Sequence, residues 1–150
     1  MIALATLLAA VAPHIAPAHG WTLLRPGPSQ RDIPARMVVA VTTADAASQR
    51  PFAMFTSLTR LRPTGILIWA WVFPRSSTHP FPRASWPLRL SSFRLDHGWE
   101  GQPAPNVQQR LYWADVGGWT LDVRVYFATQ HPSRALVGKA QTELDRISLR

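Results

Sequence analysis

Cysteine is absent from the chain of 150 residues. That excludes disulfide frameworks, thiol nucleophiles and thiolate metal sites, and leaves the redox compartment open. Lysine is nearly absent too. Apart from Lys139, all 16 basic residues are arginine, set against 8 acids for a net charge of +8. Acids are missing altogether between Asp45 and Asp96, where Arg50, Arg60, Arg62, Arg75, Arg83, Arg89 and Arg94 stand. Such a block attracts anions through its field. Its arginines are dispersed among prolines, however, with no recognition helix or stacking sheet beside them, so specific nucleic-acid binding is not expected. A weak anionic surface contact through Arg62, Arg75, Arg83, Arg89 and Arg94 is what the pattern supports.

Catalytic motifs are also missing. There is no Gly-x-Ser-x-Gly, no Ser-x-x-Lys and no phosphate-cradling glycine loop. The 5 histidines are scattered, without His-x-His or His-Glu-x-x-His spacing. Asp122, His131 and Ser133 lie near one another in sequence, but His131-Pro-Ser133 reads as a helix start rather than as part of a triad. No cofactor follows from these residues.

An apolar run without charge occupies residues 2–12, too short to span a bilayer, which needs ~20 residues. Ala16-Pro17-Ala18 follows it as a small-x-small pattern. This is the layout of a secretory signal cleaved after Ala18, although no lysine or arginine precedes the run. The expectation is a signal at 1–18 and one domain at 19–150, placed outside the cell or in its envelope. The chain is cytoplasmic if the segment is not a signal. Cleavage there would make His19 the first residue, and a terminal histidine chelates copper through its amine and imidazole. The start His19-Gly20-Trp21 resembles that of lytic polysaccharide monooxygenases. The resemblance implies copper at His19 with His79, His97 or His131 as second ligand. The lack of cysteine and the terminal helix depart from that β-sandwich family.

Further along, residues 37–43 are β-branched and read as a strand, and residues 52–62 suggest a short helix stopped by Pro63. The run Ile66-Leu-Ile-Trp-Ala-Trp-Val-Phe73 is apolar at every position, the pattern of a central strand covered on both faces. Residues 74–87 read as proline-rich loop, residues 88–94 as an edge strand, and residues 96–106 as loop again. In residues 119–127 the odd positions are apolar and the even ones mostly polar, which predicts a strand with one covered face. A terminal helix is expected from Pro132 or Ser133, with Leu136, Ala140, Leu144 and Ile147 on one side and Arg146 and Arg150 at its carboxyl end.

The hairpin between the last two strands allows two registers. A two-residue turn at Gly117-Gly118 sets Ala114 against Leu121 and Tyr112 against Val123, sending Leu111 and Trp113 to the face of Asp122 and Arg124. A loop of three or five residues instead pairs Trp113 with Leu121 and Leu111 with Val123, gathering the large apolar groups on one face. Burying each is worth ~1.5–3 kcal/mol, more than a turn preference, so the odd-length, bulge-type loop is expected.

Together these elements define an α+β fold: a mainly antiparallel sheet of five or six strands with a C-terminal helix packed on one face. The Gly-Trp strand starts, the 66–73 run and the segments Asp122-Val-Arg-Val-Tyr-Phe127, His131-Pro-Ser133 and Ala140-Gln-Thr-Glu-Leu144 resemble short exported bacterial proteins with a PsbP-like α/β/α sandwich. That resemblance implies no activity and no site residues.

Among the 7 tryptophans, Trp69, Trp71, Trp113 and Trp119 are expected in the core. Trp86 and Trp99 fall in loops, where rings stack on ligands or plug the end of a core. With Asp96, His97 and Glu100, the densest cluster of ligating side chains, they form the expected ligand-binding region. The leading reading is a non-enzymatic binding or accessory domain. Copper chemistry at His19 and anion binding by the arginine block are the alternatives.

Overall fold

The computed structural model describes residues 12–24, 36–42, 61–75, 80–96 and 106–150, with backbone alone at 36–39 and 41. The apolar run before residue 12, most of the expected 52–62 helix and most of the 96–106 loop lie outside the described residues.

The apolar segment β4 (Ile66–Pro74) sits inside a six-stranded sheet, as a strand with no polar face must. Its neighbours are β3 (Arg36–Val41) and β7 (Trp119–Phe127). Outside these lie β2 (Thr22–Leu24) beyond β3, and β6 (Gln108–Val116) then β5 (Arg94–Asp96) beyond β7. Every pairing is antiparallel. A separate two-stranded ribbon joins β1 (Pro13–Ile15) to β8 (Ile147–Leu149). The expected α+β architecture is found.

On one face of the sheet Ile66, Ile68, Ala70 and Val72 of β4 lie beside Leu121, Val123, Val125 and Phe127 of β7. The helix α1 (Arg134–Leu144) covers them with Ala140 and Leu144. Its start follows the expected chemistry: the Ser133 hydroxyl accepts from the Leu136 N–H at 3.3 Å.

Two boundaries differ from expectation. The helix ends at Leu144, capped by Asp145, and Ile147 leaves it as the first residue of β8, opposite Ile15. Ile147 remains in the core, so one apolar residue satisfies both the helical period and the strand. Which of these it joins is decided by a partner at the other end of the chain. Residues 88–94 do not form a continuous strand but a 3₁₀ turn at Leu90–Ser92 before β5. The cause is Gln141 of α1, whose side chain accepts from the Leu90 N–H at 2.8 Å and donates to the Leu88 carbonyl at 2.9 Å. Those backbone groups are thereby withdrawn from any sheet ladder.

The hairpin register is the main correction. Gly117 and Gly118 form a two-residue turn with φ of 56° and 89°, the left-handed pair that a tight hairpin of matching twist requires. Val116 pairs with Trp119, Ala114 with Leu121, Tyr112 with Val123, Trp113 with Asp122 and Leu111 with Arg124. The odd-length loop follows only where one face of the hairpin alone is buried. In fact β7 is buried along both faces from Thr120 to Phe127. Leu111 is therefore buried on the far side of the sheet as well, whereas Trp113, expected in the core, stays 39% exposed, and the turn preference prevails.

Glu143 on α1 is fully buried, and its carboxylate accepts from the Ala18 N–H at 3.3–3.4 Å. Burial raises its pKa above the ordinary glutamate range, while the Ala18 N–H, Arg146 and Lys139 act in the opposite sense. A carboxyl with a raised folded-state pKa takes up its proton more readily folded than unfolded. Its ionisation therefore costs stability, a cost absent below the ordinary glutamate pKa and complete above the raised one. Glu143→Gln should match the parent's melting temperature in acid and exceed it at neutral pH. A lower melting temperature at neutral pH would show that the charge is net favourable.

Candidate functional site

The second face of the sheet holds the chemistry. Along β7 the alternate residues Thr120, Asp122, Arg124 and Tyr126 share this face, and all four are buried. Across from them on β4 lie Phe73, Trp71, Trp69 and Leu67 in the same order. On β6 the matching partners are Asp115, Trp113, Leu111 and Gln109. Four polar side chains thus run down a central strand between aromatic residues on one neighbour and mixed residues on the other.

Asp122 and Arg124 form a fork-to-fork pair at the middle of this row. The guanidinium Nε lies 3.1 Å from both carboxylate oxygens, and an Nη lies 2.9 Å from Oδ2. The same guanidinium sits 5.2 Å above the Trp69 ring centroid, a cation–π arrangement. Burial opposes the charge on Arg124, but the hydrogen bonds and charge of Asp122 outweigh it and hold the group protonated above its ordinary range. Burial pushes the Tyr126 hydroxyl far above the ordinary phenol range, against the pull of Arg124. Tyr126 is therefore a neutral donor at any physiological pH.

Most buried polar groups in a folded protein are paired, with exceptions of a few per ~100 residues. Among the described residues six have no hydrogen-bond partner, and five of these are on this one face: the indole N–H groups of Trp69 and Trp71, the hydroxyls of Thr120 and Tyr126, and Asp115 Oδ1, with the Trp119 indole N–H on the helix side as the sixth. Trp71 also makes edge contacts with Trp69 at 4.9 Å and Phe73 at 5.6 Å between ring centroids.

At the hairpin end this row meets a half-open cleft of about 660 Å³, walled by Arg75, Phe81, Arg83, Asp115 and the Gly117-Gly118 turn. Asp115 belongs to both, since its Oδ2 pairs with Arg75 at 3.0 Å while its Oδ1 is one of the unpaired atoms. The walls are set by backbone bonds: Asp115 N–H to the Pro82 carbonyl at 2.8 Å, Ala84 N–H to the Asp115 carbonyl at 3.0 Å, and Arg75 N–H to the Gly118 carbonyl at 3.2 Å. Phe81 packs edge-on against Trp113 at 5.0 Å beside the opening.

The expected site residues are placed elsewhere or lie outside the described residues. Trp86 is exposed, at the cis Trp86-Pro87 bond. Asp96 sits on β5 and accepts from the Gln109 side chain at 3.4 Å. His79, His97, Trp99 and Glu100 are outside the described residues. His19 is exposed in the turn after Ala18. Among the described residues no three histidine or acidic side chains gather as a metal site. Of the arginine block, Arg75 and Arg83 meet at the cleft. Arg89 faces Asp145 at 3.9 Å, Arg94 lies on the edge strand, and Arg62 precedes β4. Trp119 falls on the helix side, opposite to Trp113.

The Thr120–Tyr126 row was overlooked because polar residues alternating with apolar ones are the mark of a solvent face. A signal was present. A strand apolar on both sides must have its second side covered, and its hydrogen-bonded neighbour shares that cover.

Comparison with known proteins gave no match: no family model fits the chain, and neither curated proteins nor solved structures align with it. The likeness to PsbP-like sandwiches therefore has no matched relative behind it, and the geometry of the second face carries the functional reading. Among the described residues no helix is long and apolar enough to cross a membrane.

Proposed function

We propose that the chain is a non-enzymatic binding domain whose ligand occupies the polar second face of the sheet, reached from the cleft at the hairpin end. The observation behind this reading is the set of five unpaired buried polar atoms on that face. An unpaired buried polar group costs about 1–3 kcal/mol, and five of them are a cost that folding alone does not explain. A bound molecule supplying complementary atoms removes it. Binding sites commonly hold such locally unfavourable groups at the expense of stability.

The reading predicts an inverted response to mutation. Tyr126→Phe and Thr120→Val remove an unpaired hydroxyl and keep the side-chain shape, so each should stabilise the ligand-free protein by about 1 kcal/mol. Urea denaturation checks this. A loss of more than 1 kcal/mol in both variants would mean the hydroxyls are satisfied within the fold, by water or protein, and the reading would fall.

Were the chain exported, processing would have to spare residues 13–18 for the β1–β8 ribbon to form, because β1 lies within them.

A further inference from the structure

Beyond the buried row, and without depending on it, we infer that the cleft at the hairpin end is itself a binding site for an acidic sugar, a hexuronate unit held by its carboxylate and by one face of its ring. Arg75, just past the end of β4, pairs with Asp115 Oδ2 at 3.0 Å, and its backbone N–H donates to the Gly118 carbonyl at 3.2 Å. From the other side, Arg83 is the parallel bridge partner of Asp115, so the two side chains leave on the same face. Two guanidinium groups, brought in by separate segments, thus share one carboxylate in the cleft wall.

That arrangement leaves a single positive charge. Asp115 is 9% exposed and is spent on Arg75, whereas Arg83 is exposed and has no ion-pair partner among the described residues. One unmatched charge on a planar fork selects a singly charged carboxylate over a doubly charged phosphate. The rest of the wall selects the body that carries it. Phe81 lines the cleft as an apolar surface, packed edge-on against the half-exposed Trp113 at 5.0 Å. The Gly117-Gly118 turn adds bare backbone: a side chain at Gly117 would meet nothing within 4 Å, and a two-residue turn leaves both glycine N–H groups outside the ladder. A pyranose ring is apolar on its faces and carries hydroxyls at its edges, which matches one ring beside open backbone. The volume of about 660 Å³ falls within the range of ~300–1,000 Å³ common for small-molecule sites.

The test is calorimetric titration of the full chain at low salt with glucuronate, glucose, acetate and sulfate. Glucuronate should bind about tenfold or more tightly than glucose or acetate, each of which lacks one half of the recognition. Arg83→Gln, a surface change, should cost glucuronate about a factor of ten and leave glucose unaffected. Phe81→Ala should cost glucuronate about a factor of three and leave acetate unaffected. Arg94→Gln, on β5 and outside the cleft wall, should change nothing, which separates the site from the general field of the arginines. Glucose binding as tightly as glucuronate, or indifference to Arg83→Gln, overturns the carboxylate assignment. Acetate or sulfate binding as tightly as glucuronate, or indifference to Phe81→Ala, would mean an adventitious ion only and overturns the sugar. No binding at all, or an equal loss in Arg94→Gln, overturns the site. None of these results bears on the buried row, which stands or falls with Tyr126→Phe and Thr120→Val.

Discussion

Arg124→Leu is expected to destabilise the domain by about 3–5 kcal/mol, the cost of leaving a buried carboxylate without its counter-charge. Asp122 is 1% exposed, and in the parent both of its oxygens accept from Arg124. The leucine would also forfeit the guanidinium stacked on Trp69. The informative comparison is Asp122→Leu/Arg124→Leu, in which no charge remains to desolvate. Its stability should return to the parent's or exceed it, because a buried ion pair replaced by apolar side chains is often neutral or stabilising. A double-mutant cycle by urea denaturation would then show strong coupling between the two positions. A loss below 1 kcal/mol in Arg124→Leu would mean that water reaches Asp122, contrary to its burial here. Recovery of stability together with loss of ligand binding would identify the pair as retained for the site rather than for the fold.

A chain beginning at His19 should fail to hold its tertiary structure at 37 °C. Removing residues 1–18 deletes β1 and with it the backbone bonds between Ala12 and Arg150, at 2.8 and 3.1 Å. It also takes away Ile15, which is 2% exposed and lies in the core beside Ile147. Burial of that side chain alone is worth ~1.5–3 kcal/mol. Glu143 loses the Ala18 N–H, and Arg146 loses its bond to the Ala16 carbonyl at 3.1 Å. Set against a net stability of about 5–15 kcal/mol for an ordinary domain, these losses remove a large share of the total. Near-ultraviolet circular dichroism and limited proteolysis would register it, with the full chain as the reference. If the shorter chain melts within a few degrees of the parent, β1 is dispensable and cleavage after Ala18 becomes compatible with the fold. The free His19 amine required for copper would then exist on a folded protein.

Local chemistry was legible wherever it was self-contained. The 66–73 run announced a central strand because eight successive apolar residues leave no side for water. Ser133 announced a helix start because its hydroxyl can take the orphan N–H three residues on. Gly117-Gly118 marked the place of a turn but not its length: an odd-length loop was the expectation, and a two-residue turn formed. The errors arose where a residue's role depends on a distant partner. Ile147 fits a helix face and a strand equally, and the choice fell to Ile15. Leu88 and Leu90 alternate as a strand does, yet Gln141 claims the backbone between them.

The candidate site failed to show for the same reason. Thr120, Asp122, Arg124 and Tyr126 carry the pattern of a wetted face, and nothing within residues 119–127 contradicts that reading. Alternation records which residues share a side of a strand, whereas burial of that side depends on what the rest of the chain lays over it. By itself the sequence determined the central strand, the capped helix and the place of the last hairpin. The tertiary structure alone decided that β7 is dry on both of its faces. That decision set the hairpin register and turned a row of ordinary surface-type residues into a buried polar site.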